Sequence, residues 1–273
     1  DGMYPPTLMN LPRAKKSLGQ NFLVDPNYQK KIINALSKGY AGQTILEIGP
    51  GQGAITAHLL EFAKRIVLVE KDHVLAKHLT EKYAEQPQVK VIQADFLKFD
   101  LAQVDWLSEE GGLKALAVGN LPYNVSSQIL LKLLQAQDSF ADLYLMFQKE
   151  VGQRCASKHG SKDYSMLSIW SQLFAEVEKL FDLPPGVFKP RPKVNSSFLK
   201  FHLKEEMSDD ALDVIAFAES LFQQRRKKIS SVIKGKYSLE NVEDSYKALC
   251  DLRPEQLSIE DLQNLYRRLI QTK

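Results

Sequence analysis

Thr44-Ile45-Leu46-Glu47-Ile48-Gly49-Pro50-Gly51-Gln52-Gly53 is a short apolar, β-branched run that stops at a glycine-rich turn, and a segment with helical periodicity follows at residues 55–63. Working outward, comparable runs recur at residues 65–69, 89–94, 115–119 and 143–147, with helix-period segments at 74–83 and 129–134 among them. Short β-branched runs alternating with helices predict βαβ units and a parallel sheet covered on both faces. The expected fold class is therefore α/β, a doubly wound Rossmann-like sheet. Such sheets bind ligands outside the carboxyl ends of their strands, so the residues just after each run carry the functional expectation.

Farther along, strand-like segments at 177–182 and 197–203 flank a loop rich in proline, Pro184 to Pro192, which cannot support ladder bonding and suits the wall of a site. Beyond Glu205-Glu206 the strand signal ends, and helices are expected at about 209–234, 240–250 and 258–271. The predicted organisation is an N-terminal extension at 1–12, a sheet domain at 13–204 and a small C-terminal all-helical domain at 205–273. Asp1-Gly2-Met3 reads as a remnant ahead of the initiator methionine, with no charged-then-apolar leader after it.

The 273 residues are 44% hydrophobic and 25% charged, ordinary for a globular chain, and no apolar run approaches the ~20 residues of a membrane span. Cys155 and Cys250 lack metal or redox spacing, and the five histidines, His58, His73, His78, His159 and His202, form no ligand cluster in sequence. A reducing, cytoplasmic, metal-free monomer with no membrane contact is expected.

The net charge of +3 is bland, but its distribution is not. Basic residues crowd positions 13–31, Lys189, Arg191 and Lys193 fall in one loop, and Arg225, Arg226, Lys227 and Lys228 are consecutive. Such clusters on a near-neutral chain point to a polyanion track. If residues 209–234 form one helix, Ala218, Leu221, Phe222, Ile229, Val232 and Ile233 share a face with Arg225 at its centre. Arg225 is then expected to be buried and paired, leaving Arg226, Lys227 and Lys228 to reach the polyanion. The competing expectation is a helix that ends or kinks near Gln223.

The glycines Gly49 and Gly51 allow a ligand to approach the backbone at a helix N-terminus. Alone this turn also satisfies a loosened dinucleotide pattern. The next strand ends add Glu70, whose carboxylate can accept from ribose hydroxyls, and Asp95-Phe96, an acceptor for an adenine amine beside a ring to cover it. Together they fit an adenosyl group with no diphosphate to neutralise. The fourth strand runs into Asn120-Leu121-Pro122-Tyr123-Asn124, where a proline is expected to leave the carbonyls of Asn120 and Leu121 outward-facing. Two acceptors gripping an adenine amine favour a pyramidal nitrogen with its lone pair aimed at a methyl donor. Tyr123 can stack on the base, with Phe188 as a second aromatic face.

These segments, with Gln20-Asn21-Phe22-Leu23, Gln148-Lys149-Glu150-Val151, Pro192-Lys193-Val194 and Phe222 to Lys227, resemble the ribosomal RNA adenine dimethyltransferase family over roughly residues 13–265. The resemblance implies S-adenosylmethionine as cofactor, contacts to it from Asn21, Leu23, Gly49, Gly51, Glu70, Asp95, Phe96 and Asn120, and ribosomal RNA as partner. It also implies two adjacent adenosines in a hairpin loop near the 3′ end of small-subunit (16S) ribosomal RNA as substrate. Asn-Leu-Pro-Tyr and Gln-Arg-Arg-Lys favour this branch over the large-subunit antibiotic-resistance methylases. Ser165-Met166 and Asn195 depart from the family's usual Gly-Arg and Asp, which bears on RNA contacts. Two other readings compete. A noncatalytic assembly factor on this fold is expected to lack the Asn120–Tyr123 motif, and a dinucleotide oxidoreductase leaves that motif and the basic clusters unexplained.

Overall fold

The computed structural model describes residues 19–107 and 112–272, and Arg13, Lys15, Lys16 and the predicted extension lie outside them. The strands are β1 (Phe22–Leu23), β2 (Ile45–Ile48), β3 (Ile66–Glu70), β4 (Val89–Gln93), β5 (Ala115–Asn120), β6 (Phe140–Gln148), β7 (Ala175–Leu183), β8 (Phe188–Lys189) and β9 (Ser196–Leu203). The helices are α1 (Pro26–Gly39), α2 (Ala54–Leu59), α3 (His73–Lys82), α4 (Ser126–Leu134), α5 (Lys149–Ala156), α6 (Met166–Phe174), α7 (Ala211–Phe222), α8 (Ile229–Ile233), α9 (Asp244–Cys250) and α10 (Ile259–Ile270).

A seven-stranded sheet runs in the order β4-β3-β2-β5-β6-β9-β7. The pairs β2 with β3, β2 with β5, β3 with β4 and β5 with β6 are parallel, and β6 with β9 is antiparallel. Every residue of β2 and β3 is buried, which is why those segments, apart from Glu47 and Glu70, are apolar on both faces and not alternating. The order reverses between β2 and β5, so the carboxyl ends of these strands open a crevice at the switch point.

Helix starts follow their caps. Asp25 accepts from the amides of Asn27 and Tyr28 with Pro26 opening α1, and Asp72 accepts from Val74 and Leu75 at the start of α3. Helix α1, which the periodicity reading passed over, was signalled by that Asp25-Pro26 pair.

The chain divides into two compact units, one running to Gly152 and again over Glu178–Leu203, the other comprising Gln153–Val177 and Lys204–Lys273. Residues 153–177, assigned from sequence to the sheet domain, thus cluster with the C-terminal helices.

The single helix expected at 209–234 is two. Helix α7 ends at Phe222, and α8 begins at Ile229. Nothing in Gln223 to Lys228 is apolar enough to hold a helix to the core, and tertiary partners capture the segment instead. The amide of Ile229 donates to the carbonyl of Leu252 at 2.9 Å, and the Arg225 guanidinium to Glu255 at 3.0 Å. The Arg225 side chain is 41% exposed, so its predicted burial is corrected, although it is paired. Its neighbours Arg226, Lys227 and Lys228 are exposed, while Ala218, Leu221, Ile229, Val232 and Ile233 are buried and Phe222 is half-buried, on two separate helices and not on the one continuous face expected. Among the described residues no helix is long and apolar enough to cross a membrane.

Candidate active site

A cleft of about 180 Å³ opens at the carboxyl ends of β2, β3, β4 and β5, lined by residues that include Asn21, Gly49, Gly51, Glu70, Asp95, Phe96, Asn120, Leu121 and Tyr123. All of these were singled out from the sequence; the sheet brings all but Asn21 together because they lie at or just after the ends of strands that stop at the same level, and Asn21 joins them from the segment ahead of β1.

The glycine turn forms the floor. Gly51 has φ +59, and a Cβ there would meet the Phe22 ring at 2.9 Å, so backbone conformation and close packing both require glycine. Its amide donates to Oε2 of Glu70 at 3.0 Å, and the Asp72 amide donates to Oε1 at 2.9 Å. Glu70 is 5% exposed, and burial raises its carboxyl above the ordinary range against the pull of these amides. A carboxylate has about four lone-pair sites, so capacity to accept from a ribose remains.

Deeper still, Glu47 is buried with one partner, the Thr56 hydroxyl, at 2.7 Å from Oε1 and 3.1 Å from Oε2. Desolvation pushes its carboxyl up to about 7, with smaller opposing and reinforcing effects from Thr56 and Glu70.

Asp95 is handled differently. Its Oδ1 accepts from the Leu97 amide at 3.1 Å, and its Oδ2 pairs with Lys71 Nζ at 3.0 Å. The hydrogen bond to Lys71 holds its carboxyl below the usual range. Lys71 also lines the cleft, and nothing in the sequence reading marked it; its position directly after Glu70 was the available signal. Phe96, on the cleft wall, is 4% exposed.

On the opposite side, the Asn120 amide nitrogen donates to the backbone carbonyl of Asn21 at 2.8 Å, tying the segment ahead of β1 to the motif after β5. The amide of Val125 closes a turn onto the Pro122 carbonyl at 3.2 Å, and Tyr123, half-buried, bonds the Ser196 hydroxyl at 3.2 Å. Burial raises the Tyr123 phenol, so it is neutral at physiological pH. Ser196 is buried and was not anticipated.

Two expected site residues lie elsewhere. Phe188 is 1% exposed, packs in the hydrophobic core and pairs with Leu23 in the β1–β8 ladder. Its ring has no free face in this arrangement, so the expectation that it sandwiches a base is corrected; it anchors the strand that carries Phe22. Leu23 is also in the core and borders a smaller adjoining cavity with Glu47 and Gln52, outside the main cleft. Lys189, Arg191 and Lys193 are exposed around the β8 turn. No group of three or more metal-ligating side chains occurs among the described residues.

The cleft sits where doubly wound sheets take nucleotides, and among the described residues that line it the acids Glu70 and Asp95 face one cation, Lys71, which pairs with Asp95. Sheet and cleft are those of a Rossmann-like methyltransferase. Solved structures share the fold: a dimethyladenosine transferase from Plasmodium falciparum (24% identity, TM-score 0.75, covering 92% of this chain and 98% of that one) and the 23S rRNA methyltransferase ErmE (25%, 0.68, 92% and 100%). The chain belongs to the ribosomal RNA adenine dimethylase family, whose profile it matches over residues 12–271. It is similar to the ribosomal RNA small subunit methyltransferase A of Koribacter versatilis, 38% identical over 94% of this chain and 95% of that protein. The protein of that name from Maridesulfovibrio salexigens is 42% identical over 93% and 95%.

Proposed function

We propose that the protein uses S-adenosylmethionine to dimethylate the exocyclic amine of two adjacent adenosines in a hairpin loop near the 3′ end of small-subunit ribosomal RNA, and that it acts as a monomer. The observation that carries this reading is the single cleft in which Glu70, Asp95 and the Asn120–Tyr123 motif converge. The small-subunit assignment is supported by relatives of that name at 38% and 42% identity over nearly the whole chain, against 25% for the large-subunit methyltransferase ErmE.

The residues present suit the cofactor. Glu70 would accept from the ribose hydroxyls, Asp95 from the adenine amine, and Phe96 would border the ring, while the acidic lining complements a cationic ligand without phosphates. When bound, S-adenosylmethionine supplies an electrophilic methyl group on a sulfonium. The chain's part is positioning, which is worth much of the barrier when reacting atoms are held in line. The Asn120 and Leu121 carbonyls would accept the hydrogens of the target amine, directing its lone pair out of the ring plane. Tyr123, its hydroxyl held by Ser196, would stack on the flipped base. The amine keeps one hydrogen after the first transfer, enough for one acceptor to orient it again. It keeps none after the second, and this favours product release. No strong base is required, since the methylated nitrogen is acidic enough to lose its proton to water. Arg226, Lys227, Lys228, Lys189, Arg191 and Lys193 would contact RNA phosphates.

Incubating the protein with unmethylated small subunits and isotope-labelled cofactor, then sequencing the RNA by mass spectrometry, tests the reading. Two adjacent dimethyladenosines near the 3′ end are expected. Label confined to large-subunit RNA would overturn the small-subunit assignment, and no label in either RNA would overturn the reaction.

A further inference from the structure

Helix α4 begins three residues after Tyr123, and one turn from its end it carries Lys132, half-buried and unused by the reaction described above. The ammonium donates to the backbone carbonyl of Phe96 at 2.6 Å and to that of Phe99, and it stands 5.0 Å from the centre of the Phe96 ring. These two carbonyls belong to the loop after β4, the loop that carries Asp95 and Phe96. That loop otherwise has few internal ties: the Leu97 amide to the Asp95 carboxylate and the Lys98 amide to the Asp95 carbonyl. A charged donor serving two carbonyls is stronger than either neutral bond, and the stacked cation adds to it. Burial lowers the pKa of Lys132, opposed by Asp100 and Asp95, which are the acids facing it.

We infer that Lys132 is a positioning residue for cofactor recognition, a clamp from α4 that sets the Asp95–Phe96 loop at the height and tilt needed to read adenine. The inference rests on the proposed adenine-reading role of Asp95. The clamp touches backbone carbonyls and not the ligand, so its loss acts through loop placement.

Calorimetry with S-adenosylhomocysteine and its hypoxanthine analogue tests this in K132M, K132R and D95A. Losing two charge-assisted bonds should weaken adenosyl binding by about tenfold in K132M and narrow the preference for adenine over hypoxanthine. The apolar Met chain replaces the Lys stem, so folding should persist; K132Q, which retains a donor for one carbonyl, provides a second variant of intermediate effect. K132R should stay close to the parent. In turnover, K132M should raise KM for the cofactor while kcat at saturation stays within about twofold, because the target-base side of the cleft is untouched. If D95A weakens binding and K132M does not, or if K132M lowers kcat with affinity unchanged, the clamp is refuted. If D95A itself binds and discriminates like the parent, the adenine-reading role of Asp95 falls, and the recognition role of Lys132 falls with it.

Discussion

At the carboxyl ends of β3 and β4, each acid accepts from the amide two residues on in the chain, Glu70 from Asp72 and Asp95 from Leu97, whereas in the basic run after α7 Arg225 and Lys228 answer to partners 30 and 23 residues away. Glu70 is held by the amides of Gly51 and Asp72, and Asp95 by that of Leu97. Arg225, by contrast, finds Glu255 and the carbonyl of Tyr164, and Lys228 finds Asp251 at 3.4 Å. The first arrangement is a property of strand-end turns and survives most changes elsewhere. The second depends on the helical unit folding as a whole. Substitutions in the cleft should therefore change binding or chemistry with little loss of fold, and those in the basic run should separate into structural and RNA-contacting effects.

The largest effect is expected at Tyr123. Tyr123→Ala should reduce RNA methylation by more than about a hundredfold, because stacking and orientation of the target base are lost together. Its affinity for S-adenosylhomocysteine should stay near the parent's, while Asp95→Ala should lose cofactor affinity first. Equal loss of cofactor binding in both variants would erase the division of the cleft into a cofactor end and a base end.

Glu47 sharpens the comparison through pH. Burial pushes its carboxyl up to about 7 from an ordinary 4.5. Between these values the folded state holds more protons than the unfolded, so stability falls as pH rises through that window and the penalty is complete above it. Glu47→Gln keeps the shape and an acceptor for Thr56. In cofactor-free protein it should raise Tm by about 5 °C at pH 8 and by almost nothing at pH 4. Glu70, raised in the same direction, should leave a residual slope. A constant difference between variant and parent at both pH values would mean that Glu47 does not titrate in this window.

Sequence pattern sufficed for the sheet because β2, β3, β5 and β6 are largely buried runs whose length and β-branching exclude other elements, while β4, none of whose residues is buried, was legible from its β-branched residues alone; the cleft followed since polar residues at strand ends have one place to go. Tyr123 and Asn120 were legible for the same reason. Phe188 was not: an aromatic in a proline-rich loop looks available, and only its ladder pairing with Leu23 shows that the ring is spent on the core. Lys71, Ser196 and Lys132 were missed because their roles come from contacts across 24, 73 and 36 residues, to Asp95, Tyr123 and Phe96, which no local spacing encodes. Arg225 was misplaced by extending one helical period through a segment with no apolar anchor.

Arg225→Ala should cost about 1 kcal/mol of stability, since the pair it loses is partly exposed and screened, although the Glu255 carboxylate is left without that partner. The loss should shrink in high salt. An unchanged melt would place the structural role of Arg225 at zero and return it to the contact surface.

The smallest effect on folding, and the most informative one for RNA, belongs to Lys227. It is exposed, and its one recorded bond is to Gln224 at 2.8 Å, three residues earlier. Lys227→Ala should melt within about 0.5 kcal/mol of the parent, as surface substitutions away from networks do. If Lys227 neutralises a phosphate, the same change should reduce the slope of log affinity against log salt by about one and weaken binding to all RNA sequences alike. Arg226→Ala should behave in the same way, and Lys228→Ala should add a slight loss of stability from its Asp251 pair. Salt-titrated binding of the four single variants then reads the run residue by residue. Three shallower slopes with parental or near-parental melts, against one lower melt at Arg225, would split the run into one structural arginine and three RNA contacts. Four equal slopes and four equal melts would make it one undivided contact surface.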